Sequence, residues 1–286
     1  MPGADARRGW ALALACLLLA ACGSGRDDAV EAAGDATPAQ AVVRLPAHLR
    51  HNDLEAFARD AVPPALHAEL DAAWRDGRTR WPLDALPFGS HLPEMLDSLA
   101  APGSEARLQR IFDRQFAGAE RELRSAAATL GVFGTEYVSN EGDFSDGQRQ
   151  HYAQLISATA QWAARAPLAD PVRAKPAIVA LAAAARRTGL TSEAAFRDAG
   201  IDSGLRRMGP FAATFKQVLA GYGLRIDADL ATLEATLQQQ TGDTATVRMR
   251  YRFAEGQVDT LVAMERVDGR WYVSDFLRGA RAAATR

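Results

Sequence analysis

His48 and His51 stand three residues apart with Asp53 close behind, a spacing that can set two imidazoles and a carboxylate around one helix turn. A zinc site built on such a pair needs a further ligand, and the chain holds no HExxH or CxxC motif to supply one. The expected state of the pair is a solvated helix start, with Asn52 or Asp53 as a cap. His67, His91 and His151 are isolated in the sequence. The run Asn140-Glu141-Gly142-Asp143-Phe144-Ser145-Asp146-Gly147 has the polarity of a calcium loop but lacks its alternating acids and distant bidentate glutamate. It reads as a polar loop feeding a capped helix. No GxSxG elbow is present. No catalytic residue, metal ligand or cofactor site is therefore expected. Arg248, Arg250 and Arg252 alternate along one segment and could bind a phosphate or carboxylate. The alternative is a solvated face, paired with acids such as Asp259 and Glu265 and guarding against edge association.

Cys22 is the one residue with specific chemistry. Arg7 and Arg8 precede the apolar run from Trp10 to Ala21, which is shorter than the roughly 20 helical residues that span a bilayer. A charged start, a short apolar stretch and small residues before a cut mark a secretory signal. Leu19-Ala20-Ala21-Cys22 resembles the lipobox of bacterial lipoproteins. The resemblance implies cleavage before Cys22, acylation of its thiol and attachment to the periplasmic side of a membrane. Gly23 in place of an aspartate implies the outer membrane rather than the inner. Several acyl chains on one residue suffice for stable anchoring where one would not.

Of 33 Lys and Arg and 35 Asp and Glu, Arg7, Arg8 and Asp5 leave with residues 1–21, so 31 basic residues remain against 34 acidic. A balance so close to neutral argues against a nucleic-acid partner or a polybasic membrane surface. Cys16 lies within the signal, which leaves Cys22 without a disulfide partner. From Gly23 to about Pro46 the residues are small, polar and acidic, and the expectation for 22–46 is a lipid-anchored flexible tether spanning about 27 Å.

Residues 47–222 carry helical periodicity. Leu108, Ile111, Phe112, Phe116, Ala119, Leu123, Ala126 and Leu130 form one stripe facing a core, Ser104 is the expected cap of that helix, and Gly131 is its expected end. Ser145 and Gln148 have capping-box spacing, and Tyr152, Leu155, Ile156, Thr159 and Trp162 follow on one face. Asp170-Pro171 opens another helix that Gly189 closes. Thr191 caps a short one, and Ser203 opens the last, with a kink or restart expected at Gly209-Pro210.

Near Leu224 the period falls from 3.6 to 2, so residues 223–286 are expected to form an antiparallel sheet of about four strands packed with the preceding helix. Val247, Met249, Tyr251 and Phe253 alternate with polar residues. Asp268-Gly269 is a two-residue hairpin signal that sets Val273 beside Met264. A turn over Ala254–Gln257 sets Phe253 against Val258, Met249 against Val262 and Arg252 against Asp259. Residues 231–240 fit a helix or a strand; the strand would align Leu237 with Val247. Leu261, Ala263 and Phe276 fall on the second face and call for some cover. The fold class is α+β, a helical N-terminal portion followed by the sheet.

The segments Gly242–Val247 and Val267–Val273 are similar to the final strands of NTF2-like domains. That resemblance implies a sheet and helices forming a cone, with Met249, Tyr251, Phe253 and Trp271 as candidate ligand-binding residues. The function these features support is a non-enzymatic envelope lipoprotein that binds a protein partner or a small apolar ligand. The alternative is a periplasmic hydrolase with a site assembled from dispersed residues.

Overall fold

A computed structural model describes residues 37–286 apart from 87, 88, 142 and 143. Cys22 and the signal lie outside the described residues. The first element, α1 (Pro38–His51), begins on a capping box: the Thr37 hydroxyl accepts from the Gln40 amide at 3.3 Å, and the Gln40 side chain accepts from the Thr37 amide at 3.2 Å. Residues 38–46 are therefore not tether. Ala41, Val42 and Leu45 are buried, and that apolar face, with Pro38 in the first turn, outweighs the small, polar composition that suggested a linker.

Asn52 ends α1 in the left-handed conformation, and Asp53 caps α2 (Leu54–Ala61) by accepting from the Ala56 amide at 2.9 Å. Then come α3 (Pro64–Arg75), α4 (Leu92–Ala100), α5 (Ser104–Gln115), α6 (Glu120–Asn140), α7 (Asp146–Arg165), α8 (Pro171–Thr188), α9 (Glu193–Gly221) and α10 (Ile226–Leu230). Ser145 and Gln148 form the expected box at the start of α7, Asp170 caps α8, and Gly189 closes it in the left-handed region.

Several helix boundaries differ from expectation. The stripe from Leu108 to Leu130 is split between α5 and α6 around Gly118, which has φ +74°, and none of its residues is buried; Ser104 sits inside the first turn of α5 and donates to the Leu99 carbonyl at 2.6 Å instead of capping. α6 runs on through Gly131, which is a contact residue rather than a stop: a Cβ there would lie 2.5 Å from the Ala160 Cβ of α7. Ser192, not Thr191, caps α9, and that helix breaks at Gly200 (φ 68°) rather than at Ser203. Asp71 of α3 explains the position of the break, because its carboxylate accepts from the Ile201 amide at 2.9 Å and restarts the helix. Gly209-Pro210 passes within α9, and the missing Cβ of Gly209 leaves room for the Asn52 carbonyl.

Gly131→Ala is expected to lower stability by about 1–3 kcal/mol through overpacking, although alanine favours helix. Gly279→Ala should instead stabilise by up to about 1 kcal/mol, because no atom lies within 4 Å of the added carbon. Urea unfolding of both variants checks the contrast.

The sheet is antiparallel in the order β1-β2-β3-β4, with β1 Glu234–Thr241, β2 Thr244–Phe253, β3 Gly256–Val267 and β4 Arg270–Val273, followed by α11 (Ser274–Ala284). Residues 234–241 are thus strand, and Leu237 opposes Val247 as expected, with a bulge before Gln239. Met264 opposes Val273 across the Asp268-Gly269 turn, whose residues have φ 50° and 80°. The β2–β3 register is displaced from expectation by two residues: Tyr251 opposes Val258, Val247 opposes Val262, and Arg250 opposes Asp259. The turn there is only Ala254-Glu255, with φ 49° and 72°. The Ala254 amide is held by the Asp229 carboxylate at 2.9 Å, a long-range contact that local turn propensity does not reveal. A displacement of two keeps every side chain on its expected face.

A helical core gathers Leu70, Trp74, Leu96, Phe196, Ile201, Leu205 and Leu277, with the Trp74 indole donating to the Phe196 carbonyl at 2.7 Å. A second core lies on the inner face of the sheet, where Val247, Met249, Tyr251, Val258, Met264 and Trp271 meet Ala41 and Val42 of α1. Val273 packs against both cores. The outer face is bare where cover was expected: Leu261 is 49 % exposed and Ala263 is exposed, while Phe276 turns to Phe57 in the helical core.

Candidate functional site

The residues expected to line a pocket are instead core. Met249, Tyr251 and Trp271 are 8, 6 and 5 % exposed, and Phe253 is half-buried. Two independent elements fill the space over them, α1 through Ala41 and Val42 and α7 through Leu155, with Leu230 and Leu233 closing one end. The inner sheet face is thus occupied by the chain's own helices, which removes the cavity that an apolar ligand would need.

One polar pair sits in this core. His151 Nε2 and the Tyr251 hydroxyl lie 2.7 Å apart, and the Tyr152 ring stacks on the imidazole at 5.9 Å between centroids. Burial lowers the His151 pKa to about 4 and raises that of Tyr251, so both are neutral at pH 7 and share one hydrogen bond. The contact satisfies both buried polar atoms within the core. Close by, the Ser145 hydroxyl donates to Asp275 at 2.9 Å while accepting from the Gln148 amide, so it is committed to capping.

The other candidates resolve as structural contacts. His48 lies in the last turn of α1, not at a helix start, and its Nε2 is 2.8 Å from Asp60. Arg44 and Arg270 approach the same carboxylate at 3.5 and 3.6 Å, which ties α1, α2 and β4 together. Burial opposes the Asp60 charge, but the His48 bond and the arginines outweigh it and hold the carboxyl below its ordinary pKa. Among the described residues no three His, Cys, Asp or Glu side chains are placed to hold a metal ion. His67 lies 3.2 Å from Asp202, and His91 lies 3.6 Å from Glu94.

Arg248 makes a forked contact with Asp259 at 2.8 and 2.5 Å, and Arg250 reaches Glu234 at 3.3 Å, so these two arginines lie ion-paired on a solvated face. The expected partner of Asp259 was Arg252; the shifted register gives it to Arg248. The polar run 140–147 acts through Asn140, which bonds Glu136, and through the Ser145 cap; residues 142 and 143 are outside the described ones.

The feature the sequence reading missed is on α6. Leu130, Phe133 and Tyr137 are 68, 68 and 57 % exposed, and Val132 is 72 % exposed. Spacing of three and four puts the first three on one stripe, beside the face where Gly131 and Gly134 pack on Ala160 and Ile156 of α7. Beside it, Gly131, Val132, Ala160 and Ala164 help line an open groove of about 440 Å³ between α6 and α7. α6 is thus packed on α7 along one face and bare along the stripe beside it.

No family model, curated protein or solved structure matches this chain.

Proposed function

We propose that this chain is an envelope lipoprotein, acylated on Cys22 and held at the outer membrane, whose folded part binds another envelope protein and carries out no reaction. The anchor reading rests on Leu19-Ala20-Ala21-Cys22 behind a charged and apolar leader, and the outer-membrane preference on Gly23. With α1 beginning at Pro38, fourteen residues lie between Cys22 and Thr37, a reach of at most about 50 Å when extended. The domain therefore works within that distance of the headgroups.

The binding reading is carried by the exposed stripe Leu130, Phe133 and Tyr137. Folded monomers seldom leave contiguous apolar surface of this kind without use, and aromatic side chains are enriched where partners meet. The inner face of the C-terminal sheet is covered by α1, which favours a protein partner over a small apolar ligand.

Two measurements test the proposal. Cys22→Ala should abolish acyl labelling, and mass spectrometry of the mature N-terminus should find acylated Cys22 in the parent; an unmodified residue at that terminus would refute the anchor. A photo-crosslinking residue at Phe133 should capture one envelope protein, and Leu130→Ser with Tyr137→Ser should remove the adduct. The same residue at Val172, which is 80 % exposed on α8, should give none. Equal capture from both positions would refute α6 as the binding face.

A further inference from the structure

The two edges of the sheet are treated differently. Beyond the short β4, the free edge of β3 is covered by α7. The Gln154 amide donates to the Asp259 carbonyl at 2.8 Å and accepts from the Asp259 N–H at 2.7 Å, standing in for a neighbouring strand. Gly147 lets α7 approach the Leu261 carbonyl, since a Cβ there would be 2.6 Å from that oxygen. The opposite edge is β1: among the described residues no further strand pairs with it, and α1 meets it on the inner face, where Ala39 and Ala235 join the same core. All of its residues are exposed except half-buried Ala235.

Alternation fixes which groups face outward. Asp259 turns its N–H and C=O away from β2, so its partner Arg250 turns its own toward β1. The Arg252 amide, which donates to Thr232 at 2.8 Å, points the same way. Glu234 and Thr236 then face β2, and Ala235 and Leu237 present their N–H and C=O at the open edge. Open edges are ordinarily blunted with lysine, proline or a covering element. Residues 235–241, Ala-Thr-Leu-Gln-Gln-Gln-Thr, contain no proline and no charge, and only the bulge interrupts them.

We infer that β1 is an interface for a second copy of this chain, paired antiparallel through β1 about a two-fold axis near Gln238. A neutral, amide-rich strand meets its own image without repulsion. With the axis between Gln238 and Gln239, the outward-facing Leu237 of one copy meets the outward-facing Gln240 of the other, Gln238 falls against Gln239 and Thr236 against Thr241, while Glu234, paired with Arg250, falls against Asp243, paired with Arg266 at 2.7 Å. Glutamine and threonine face their like, a favourable cross-strand arrangement. The inference uses a different face from α6 and does not depend on the anchor reading.

The test uses the full chain in its native envelope. Single cysteines are placed in turn at residues 236–240, with Val172→Cys and the unsubstituted chain as controls, and crosslinking follows mild oxidation. In a two-fold antiparallel pair, self-separation grows by about 7 Å for each residue from the axis. A disulfide needs Cα atoms within about 4.4–6.8 Å. The expected result is a product of twice the chain mass, maximal at Gln238 and Gln239, which flank the axis, and lost two residues to either side. Leu237→Lys, an exposed change that leaves the core intact, should remove most of it by setting like charges together. No dimer at any of the five positions, equal yield at all of them, a yield matched by either control, or a product of some other mass would overturn the inference.

Discussion

Val247→Asp is expected to lower stability by several kcal/mol, while Arg248→Asp, one residue on, changes it by about 1 kcal/mol or less. Val247 is fully buried in the inner-face core, paired with Val262 on one side and with the exposed Leu237 of the edge strand on the other. A carboxylate there would be desolvated with no cation among its neighbours, a penalty comparable to the whole stability of many domains. Arg248 lies on the solvated face, and its loss removes one exposed ion pair with Asp259, which screening keeps small. Thermal unfolding beside the parent separates the two. Equal damage from both would mean that the arginine row is buried and that the faces are reversed.

Between pH 7 and pH 4 the protein should lose roughly 3 kcal/mol through His151 alone. In the unfolded chain the imidazole takes a proton near pH 6.5, whereas in the fold burial holds its pKa at about 4. As pH falls through this window the unfolded state binds a proton that the native state refuses, so stability falls; below about pH 4 the contribution levels off. At about 1.4 kcal/mol per pH unit, the gap between the two values gives this magnitude. Asp60, Asp71 and Asp259, all held below their ordinary pKa, lose their contributions only at lower pH, so the windows are separable.

The paired variants sharpen the claim. His151→Phe or Tyr251→Phe alone strands the other polar atom and should cost about 1–3 kcal/mol at pH 7. The double replacement removes both polar groups, should be near neutral at pH 7, and should flatten the slope from pH 7 to 4. Urea titrations at several pH values decide the matter, and an unchanged slope in the double variant would contradict the assignment.

The fold was legible wherever the signal was local. The Ser145–Gln148 box, the Gly189 stop, the Asp268-Gly269 hairpin and the alternation from Val247 to Phe253 are each written within a few residues, and the α+β architecture follows from them. What escaped was decided by distant residues. Asp71 chooses where α9 breaks, Asp229 shortens the β2–β3 turn, and Ala160 makes Gly131 a packing residue instead of a terminator. The candidate pocket failed for the same reason. The alternation correctly put Met249, Tyr251 and Trp271 on one face, but nothing local says that α1 fills the space over them. The α6 stripe could have been found by carrying the periodicity past Gly131, where Leu130, Phe133 and Tyr137 keep helical spacing.

The contact between α1 and the sheet joins the two ends of the described chain: Val42 shares a core with Val247 and Trp271. Whichever end emerges first must therefore wait, because neither α1 nor the strands can bury their apolar faces until nearly the whole polypeptide is present. Such distant pairings carry a large closure entropy and slow folding. During that interval Ala41, Val42 and Leu45 on one side, and the alternating residues of β2 on the other, stand open to wrong associations. A chaperone acting on this protein would have to shield both ends at once, and would release them only after the last strand, β4, had arrived.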